Sequence, residues 1–335
     1  MSSSLLFERS RADWKNPPVD GDQGPERSPP LGEADRSQPA GRVFAILLES
    51  LLAEASAHEA GVLAEEDPEE LHDYRVAIRR TRSLLRVTRG VLPERERLRL
   101  RHELRWLGDL TSPVRDLDVL ADDLDGLVAG VQPELHGGVQ SLNEALTRER
   151  IVVAARLEDG LGSQRYAELV RLWHLTARVY LIGGEAPPAS RRSAGTVADE
   201  AIVSSERRLR RIGRNARHSD DLEDWHDLRK ALKQFRYVIG LLAPLYPPEA
   251  FSSVRRNIPK IQDVLGRLQD HHVQAELIGR LGVSAGGEAA LLAGAIADRL
   301  HRDVERVHWK CASTWRHLGR SQLGERLRTE MPTSR

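Results

Sequence analysis

The sequence predicts an all-α protein: two antiparallel helical bundles related by a pseudo-twofold axis, with a basic groove or pore between them. Three observations carry this. From Arg42 onward apolar residues recur at spacings of three and four, and runs of β-branched residues are almost absent. The segment His72-Asp73-Tyr74-Arg75-Val76-Ala77-Ile78-Arg79-Arg80-Thr81-Arg82 returns as His226-Asp227-Leu228-Arg229-Lys230-Ala231-Leu232-Lys233-Gln234-Phe235-Arg236. The offset of 154 residues also relates Pro93 to Pro247, Arg101 to Arg255 and Asp116 to Asp270, which marks an internal duplication.

Taken in order, residues 1–40 hold Pro17, Pro18, Pro25, Pro29, Pro30 and Pro39 among many polar residues, and are expected to be a disordered tail. The first helical half spans 41–182. Its breakers predict a helix from near Pro68 to Leu92, a second from Glu94 to Leu110, ahead of Thr111-Ser112-Pro113, and a third from Arg115 to Gly130. A fourth follows Pro133 to Gly160 and a fifth covers Tyr166 to Leu181. The segment 183–195, with Gly183, Gly184, Pro187 and Pro188, is expected to link the halves. The second half, 196–320, predicts helices at 196–217, 224–245, 248–268, 271–281 and 287–318, with a C-terminal tail at 321–335.

Aromatic residues make up only 4% of the chain, so Leu, Val, Ile and Ala must fill the core. Trp106, Trp173, Trp225, Trp309 and Trp315 fall among apolar periodic positions and are expected in that core. Cys311 stands alone, which excludes an internal disulfide and fits a reducing, cytoplasmic setting. No apolar run approaches the length of about 18 residues that a membrane span needs, and no secretory signal is visible. The formal net charge is zero, so information lies in where the charges sit. Arginine outnumbers lysine 45 to 5, a bias that a GC-rich genome alone produces; only the placement of particular arginines is informative.

That placement is uneven. His72, Arg75, Arg79, Arg82, Arg86 and Arg89 follow at 3, 4, 3, 4 and 3, and so share one helix face within roughly 100°. His226, Arg229, Lys233 and Arg236 repeat the spacing, and the second stripe then ends at Gly240 and Ala243. Partner helices add Arg97, Arg101, Arg105 and Arg115, and Arg255, Arg256 and Lys260. From His72 to Arg105 eleven Arg face four acids; from His226 to Arg267 eight basic residues face three. Solvated faces normally alternate sign, because like charges at i,i+4 cost a few tenths of a kcal/mol per pair. A stripe built against that cost, twice, points to an anionic ligand.

These segments, together with Leu104-Arg105-Trp106-Leu107, Val114-Arg115-Asp116-Leu117-Asp118-Val119-Leu120 and Lys260 to Asp270, resemble the CHAD family, the conserved histidine α-helical domain, over residues 40–320. One departure is Thr111-Ser112, where the second copy has Leu265-Gly266; it is expected to alter a turn without touching the stripe. The resemblance implies binding of inorganic polyphosphate and association with polyphosphate granules. The implied contacts are His72, Arg75, Arg79, Arg80, Arg82 and Arg86, with His226, Arg229, Lys230, Lys233 and Arg236, Lys260 supporting. Arg101, Arg105 and Arg255 join them from the partner helices. No cofactor, resident metal or catalytic residue is implied, and no Glu-x-Glu-x-Lys strand of a fused hydrolase is present in this sequence.

A metal-dependent phosphohydrolase would use the His-Asp pairs, with His58, His102, Asp116 and Asp118 as further ligands, but His72 and Asp73 diverge by about 100° on a helix. The adjacent His271-His272 likewise share no face and fit a surface or groove role. Nucleic-acid binding lacks the aromatic platforms used for single strands, although weak, non-specific attraction is expected from charge alone.

Overall fold

Helices α1 (Ala40–Ala64), α2 (Pro68–Val87), α3 (Glu94–Ala129), α4 (Val139–Leu161) and α5 (Gln164–Arg178) are followed by α6 (Ala194–Ala216), α7 (Leu222–Leu242), α8 (Ser252–Ala285) and α9 (Gly287–Arg320). This computed structural model describes residues 31–65, 67–178 and 187–320; within them there is no β-strand beyond two isolated bridges. The protein is all-α.

The 154-residue offset reappears in the geometry. α1 and α6 start at Ala40 and Ala194, and α2 and α7 start at Pro68 and Leu222. The preceding residues, Asp67 and Asp221, are both N-caps, each accepting from a backbone N–H two residues on (Glu69 and Glu223) at 2.9 Å. Such caps contribute about 1 kcal/mol apiece. The buried faces match as well: Ala40, Val43, Leu47 and Leu48 in α1 against Ala194, Val197, Ala201 and Ile202 in α6.

α1 packs on α2, α6 on α7, and α8 on α9. Contact between the halves runs through α2 against α7, α1 against α6, and α4 against α8 and α9. Gly138, at the start of α4, lets α9 approach: a Cβ there would lie 2.4 Å from the Glu288 carbonyl oxygen. Trp173 and Trp225 are buried, and their indole N–H groups donate to the Leu48 and Ser219 carbonyls. Trp315 is also buried, Trp106 is half-buried beneath the Arg165 guanidinium, and the Trp309 side chain lies outside the described residues.

Three expectations need correction. α3 runs unbroken through Thr111-Ser112-Pro113, and α8 runs unbroken through Pro259 and across the expected break at Gln269-Asp270. Proline removes one helical N–H and usually ends or kinks a helix, yet neither helix ends there. In α3 the Thr111 and Ser112 hydroxyls donate back to the Leu107 and Gly108 carbonyls, and both sides are held by packed neighbours. The ordered chain also starts before the expected end of the tail. Glu33–Ser37 is a 3-10 helix, and Arg36 pairs with Asp199 at 3.0 Å while lying over the Tyr246 ring. Residues 1–30, the first four residues of the expected linker (183–186) and the tail after 320 lie outside the described residues; the rest of that linker carries a 3-10 helix at Pro188–Arg191.

Candidate polyanion-binding site

Because α2 packs against α7, the two basic stripes come together where the halves meet. At the middle, Arg75 is half-buried and donates from Nη1 to the Thr111 and Ser112 hydroxyls, both at 3.0 Å. Thr111 and Ser112 therefore bear directly on the stripe, contrary to the expectation that this departure left it untouched. Burial, and then the adjacent Arg79, push the Arg75 guanidinium down to about 10. Asp116 sits among Arg75, Arg115, Arg229 and Arg280; burial nevertheless raises its carboxyl above the ordinary aspartate range. Arg229 reaches Asp270 at 3.5 Å, and its buried Nε–H has no acceptor. One carboxylate thus stands among four guanidiniums contributed by α2, α3, α7 and α8.

Toward the C-terminal end of α2 the compensation thins. Arg86 is held below its usual range by burial and then by Arg101, Arg82 and Arg208, with no acid among its influences. Arg101 and Arg82 are lowered for the same leading reason, Arg101 being eased by Glu94 and Arg82 by Asp109. Gly108 makes room here, since a Cβ would lie 3.0 Å from Arg82 Nη1. Arg86 Nη1 donates across to Gln234 Oε1 on α7 at 2.7 Å. A cavity of about 680 Å³ opens at this point, lined by Arg86, Arg89 and Arg101 from one half and by Arg192, Arg208 and Gln234 from the other. Glu200 is the one acid in its lining among the described residues, and it is held by Arg192.

The remaining candidates divide. His72, Arg79, Lys233 and Arg236 are half-buried on α2 and α7, and Arg236 lies 5.3 Å from the Tyr237 ring. His226 Nδ1 meets Gln269 Oε1, and burial holds the imidazole below its ordinary range. Lys230 is exposed and paired with Asp227 at 2.9 Å and Glu223 at 3.4 Å. Arg105 is exposed beside Asp109, while Arg255 and Lys260 are exposed on α8 and do not line the cavity. Arg80 does not join the stripe. It is buried, with Nη1 bonded to both carboxylate oxygens of Glu54 at 2.7 Å. One residue past Arg79 means about 100° around the helix, which turns Arg80 toward α1.

Arg192 and Arg208 escaped the sequence reading. Arg208 lies 154 positions after Glu54, so the duplicated motif offered an acid as its counterpart. The dense arginine run 207–214 was the available signal.

The CHAD domain model matches residues 46–279. A protein of Mycobacterium tuberculosis, Rv2226, is 28% identical over 231 residues, covering 64% of this chain and 41% of its own length. MT2285, from a second M. tuberculosis strain, is 27% identical over the same length. The chain spans about two fifths of the curated relatives it matches. Among solved structures, PptA from Streptomyces chartreusis superposes with a TM-score of 0.66 at 19% identity, covering 83% of this chain and 100% of that one. The CHAD domain from the plant Ricinus communis gives 0.61 at 22% identity, with 90% and 94% covered. At these identities the superpositions establish a shared fold. With the family model matched over most of its helices, the chain belongs to the CHAD domain family.

Proposed function

We propose that the protein binds inorganic polyphosphate between its two halves, using the α2 and α7 stripes and the arginine cavity at their end. The observation that carries this is the Arg82, Arg86, Arg101 and Arg208 cluster. Arg101 acts on Arg82, and Arg101, Arg82 and Arg208 all act on Arg86, which has no acid near enough to offset them. Such a cluster is held together by packing at an electrostatic cost, and a multivalent anion removes that cost. Polyphosphate suits it because the chain is charged along its whole length and has no bases that need aromatic stacking partners. Association with polyphosphate granules would follow from the same contacts. The protein acts in this account as a binding module, and we assign no catalytic residue.

The experiment is a calorimetric titration with long-chain polyphosphate of the wild type and of Arg86→Gln/Arg101→Gln. The account expects tight binding that weakens at least about tenfold in the variant, each lost charge-assisted bond being worth roughly 1.5–3 kcal/mol before solvent screening. Equal affinities for the two proteins would remove the cavity from the site.

A further inference from the structure

The cavity does not end the basic surface. Around and beyond Arg208 the α6 helix carries Arg207, Arg210, Arg211 and Arg214, with Arg217 as its C-cap, all exposed. Arg207, Arg211 and Arg214 follow at four and three, so they share a face within roughly 60° of arc and extend over about 10 Å. Ser204 and Arg208 lie in the cavity wall. Each stands three residues before a member of the exposed face, Arg207 and Arg211, about 60° round the helix, so the two surfaces adjoin along α6.

Ordinary causes of such a face do not account for it. Among the described residues Arg207, Arg211 and Arg214 have no ion pair, whereas Arg210 reaches Glu206 and Arg217 donates to His218. Of the acids after α6, Asp221 caps α7 and Glu223 pairs with Lys230. Helix-dipole compensation favours cations only in the last turn; that covers Arg214 and Arg217 but not Arg207 or Arg211. Like charges at these spacings each cost a few tenths of a kcal/mol. No residue from 204 to 218 is aromatic, so the face offers charge without stacking platforms.

We infer that the exposed face of α6 from Arg207 to Arg214 is a second anion-binding surface, which takes the length of a polyphosphate chain that emerges from the cavity past Arg208. The inference rests on the polyphosphate reading of the cavity and adds chain-length selection to it. Short oligophosphates engage the cavity alone. Long chains engage the cavity and α6 together.

The test uses Arg207→Gln/Arg211→Gln/Arg214→Gln, three exposed substitutions, with the melting temperature measured alongside. Tripolyphosphate and long-chain polyphosphate are each titrated against this variant, the wild type and Arg86→Gln/Arg101→Gln. The expected result is an unchanged tripolyphosphate affinity with a long-chain affinity about tenfold weaker in the triple variant. Its log–log salt slope for the long chain falls by about 2, three contacts at roughly 0.7 each. The cavity variant weakens both ligands. An unchanged long-chain affinity and slope in the triple variant overturns the inference and leaves the cavity reading standing. Equal losses for both ligands overturn it too, because the face then acts on the cavity rather than beyond it. Loss of RNA binding with polyphosphate binding intact reassigns the face to nucleic acid. A wild type that binds neither polyphosphate fails at the cavity, and that failure is read directly from the tripolyphosphate titration.

Discussion

Ala40 and Ala194, 154 residues apart, open α1 and α6 and are tied by reciprocal hydrogen bonds. The Ala40 N–H donates to the Arg192 carbonyl and the Ala194 N–H to the Gln38 carbonyl, both at 2.8 Å. Gln38 and Arg192 are themselves 154 residues apart, so the exchange relates the halves as a local twofold would. The joint is reinforced on one side only. Arg36 bonds Asp199 and covers the Tyr246 ring, and the Tyr246 hydroxyl donates to Asp199 at 2.6 Å. Arg36→Ala should cost about 1–3 kcal/mol, read as a drop in melting temperature, because Asp199 keeps only part of its compensation. An unchanged melt would mean that the arm before α1 does not hold the joint.

Arg80 and Arg79 are neighbours with different tasks. Arg80→Ala strands the half-sequestered Glu54, whose carboxyl burial already raises against the pull of Arg80. Breaking such a buried pair costs about 3–5 kcal/mol. Urea unfolding should show that loss, while the protein that remains folded keeps its polyphosphate affinity. A variant of normal stability with weakened binding would put Arg80 back among the contacts.

Asp116 sits among Arg75, Arg115, Arg229 and Arg280, so under the proposed function it competes with the ligand for them. Asp116→Asn removes that competitor and should tighten polyphosphate binding several-fold. It also leaves half-buried Arg75 with less compensation, so the unliganded protein should lose about 1–2 kcal/mol. Binding and stability are expected to move in opposite directions, and parallel changes in titration and melting would contradict this.

The histidines supply a pH dependence with a definite sign. His226 is held below its ordinary range, chiefly by burial, so the unfolded chain binds more protons as pH drops through that range. Unliganded stability from this group is therefore present above about pH 6.5 and declines below it. A bound polyanion favours the imidazolium, so affinity should rise between about pH 7.5 and 5.5. His226→Gln should flatten both trends. An equally steep affinity profile in that variant would assign the dependence to another group.

The helical class and the stripe were legible because both follow from spacing alone. Four of the helix starts, at Ala40, Pro68, Ala194 and Leu222, obey the repeat that the motif first revealed. The continuity of α3 past Pro113 and of α8 past Gln269-Asp270 was not legible, since tertiary packing on long helices outweighs the loss of one N–H at Pro113 and nothing local marks the second join. Arg80 stands about 100° round the helix from Arg79, an angle the spacing already gives, and only the family resemblance grouped it with the stripe. Arg208 and Arg192 could not be found from the repeat, which places Glu54 and Gln38 at their counterparts. Their role depends on how the halves pack, and that is a tertiary fact.

The most direct measurement is the affinity for long-chain polyphosphate at two salt concentrations, for the wild type and for Arg79→Glu/Lys233→Glu, with RNA as competitor. The account predicts tight, salt-sensitive binding that resists RNA and disappears in the double variant, one charge having been reversed on each stripe. Binding that survives both reversals, or that RNA displaces readily, would contradict a polyphosphate site shared by the two halves.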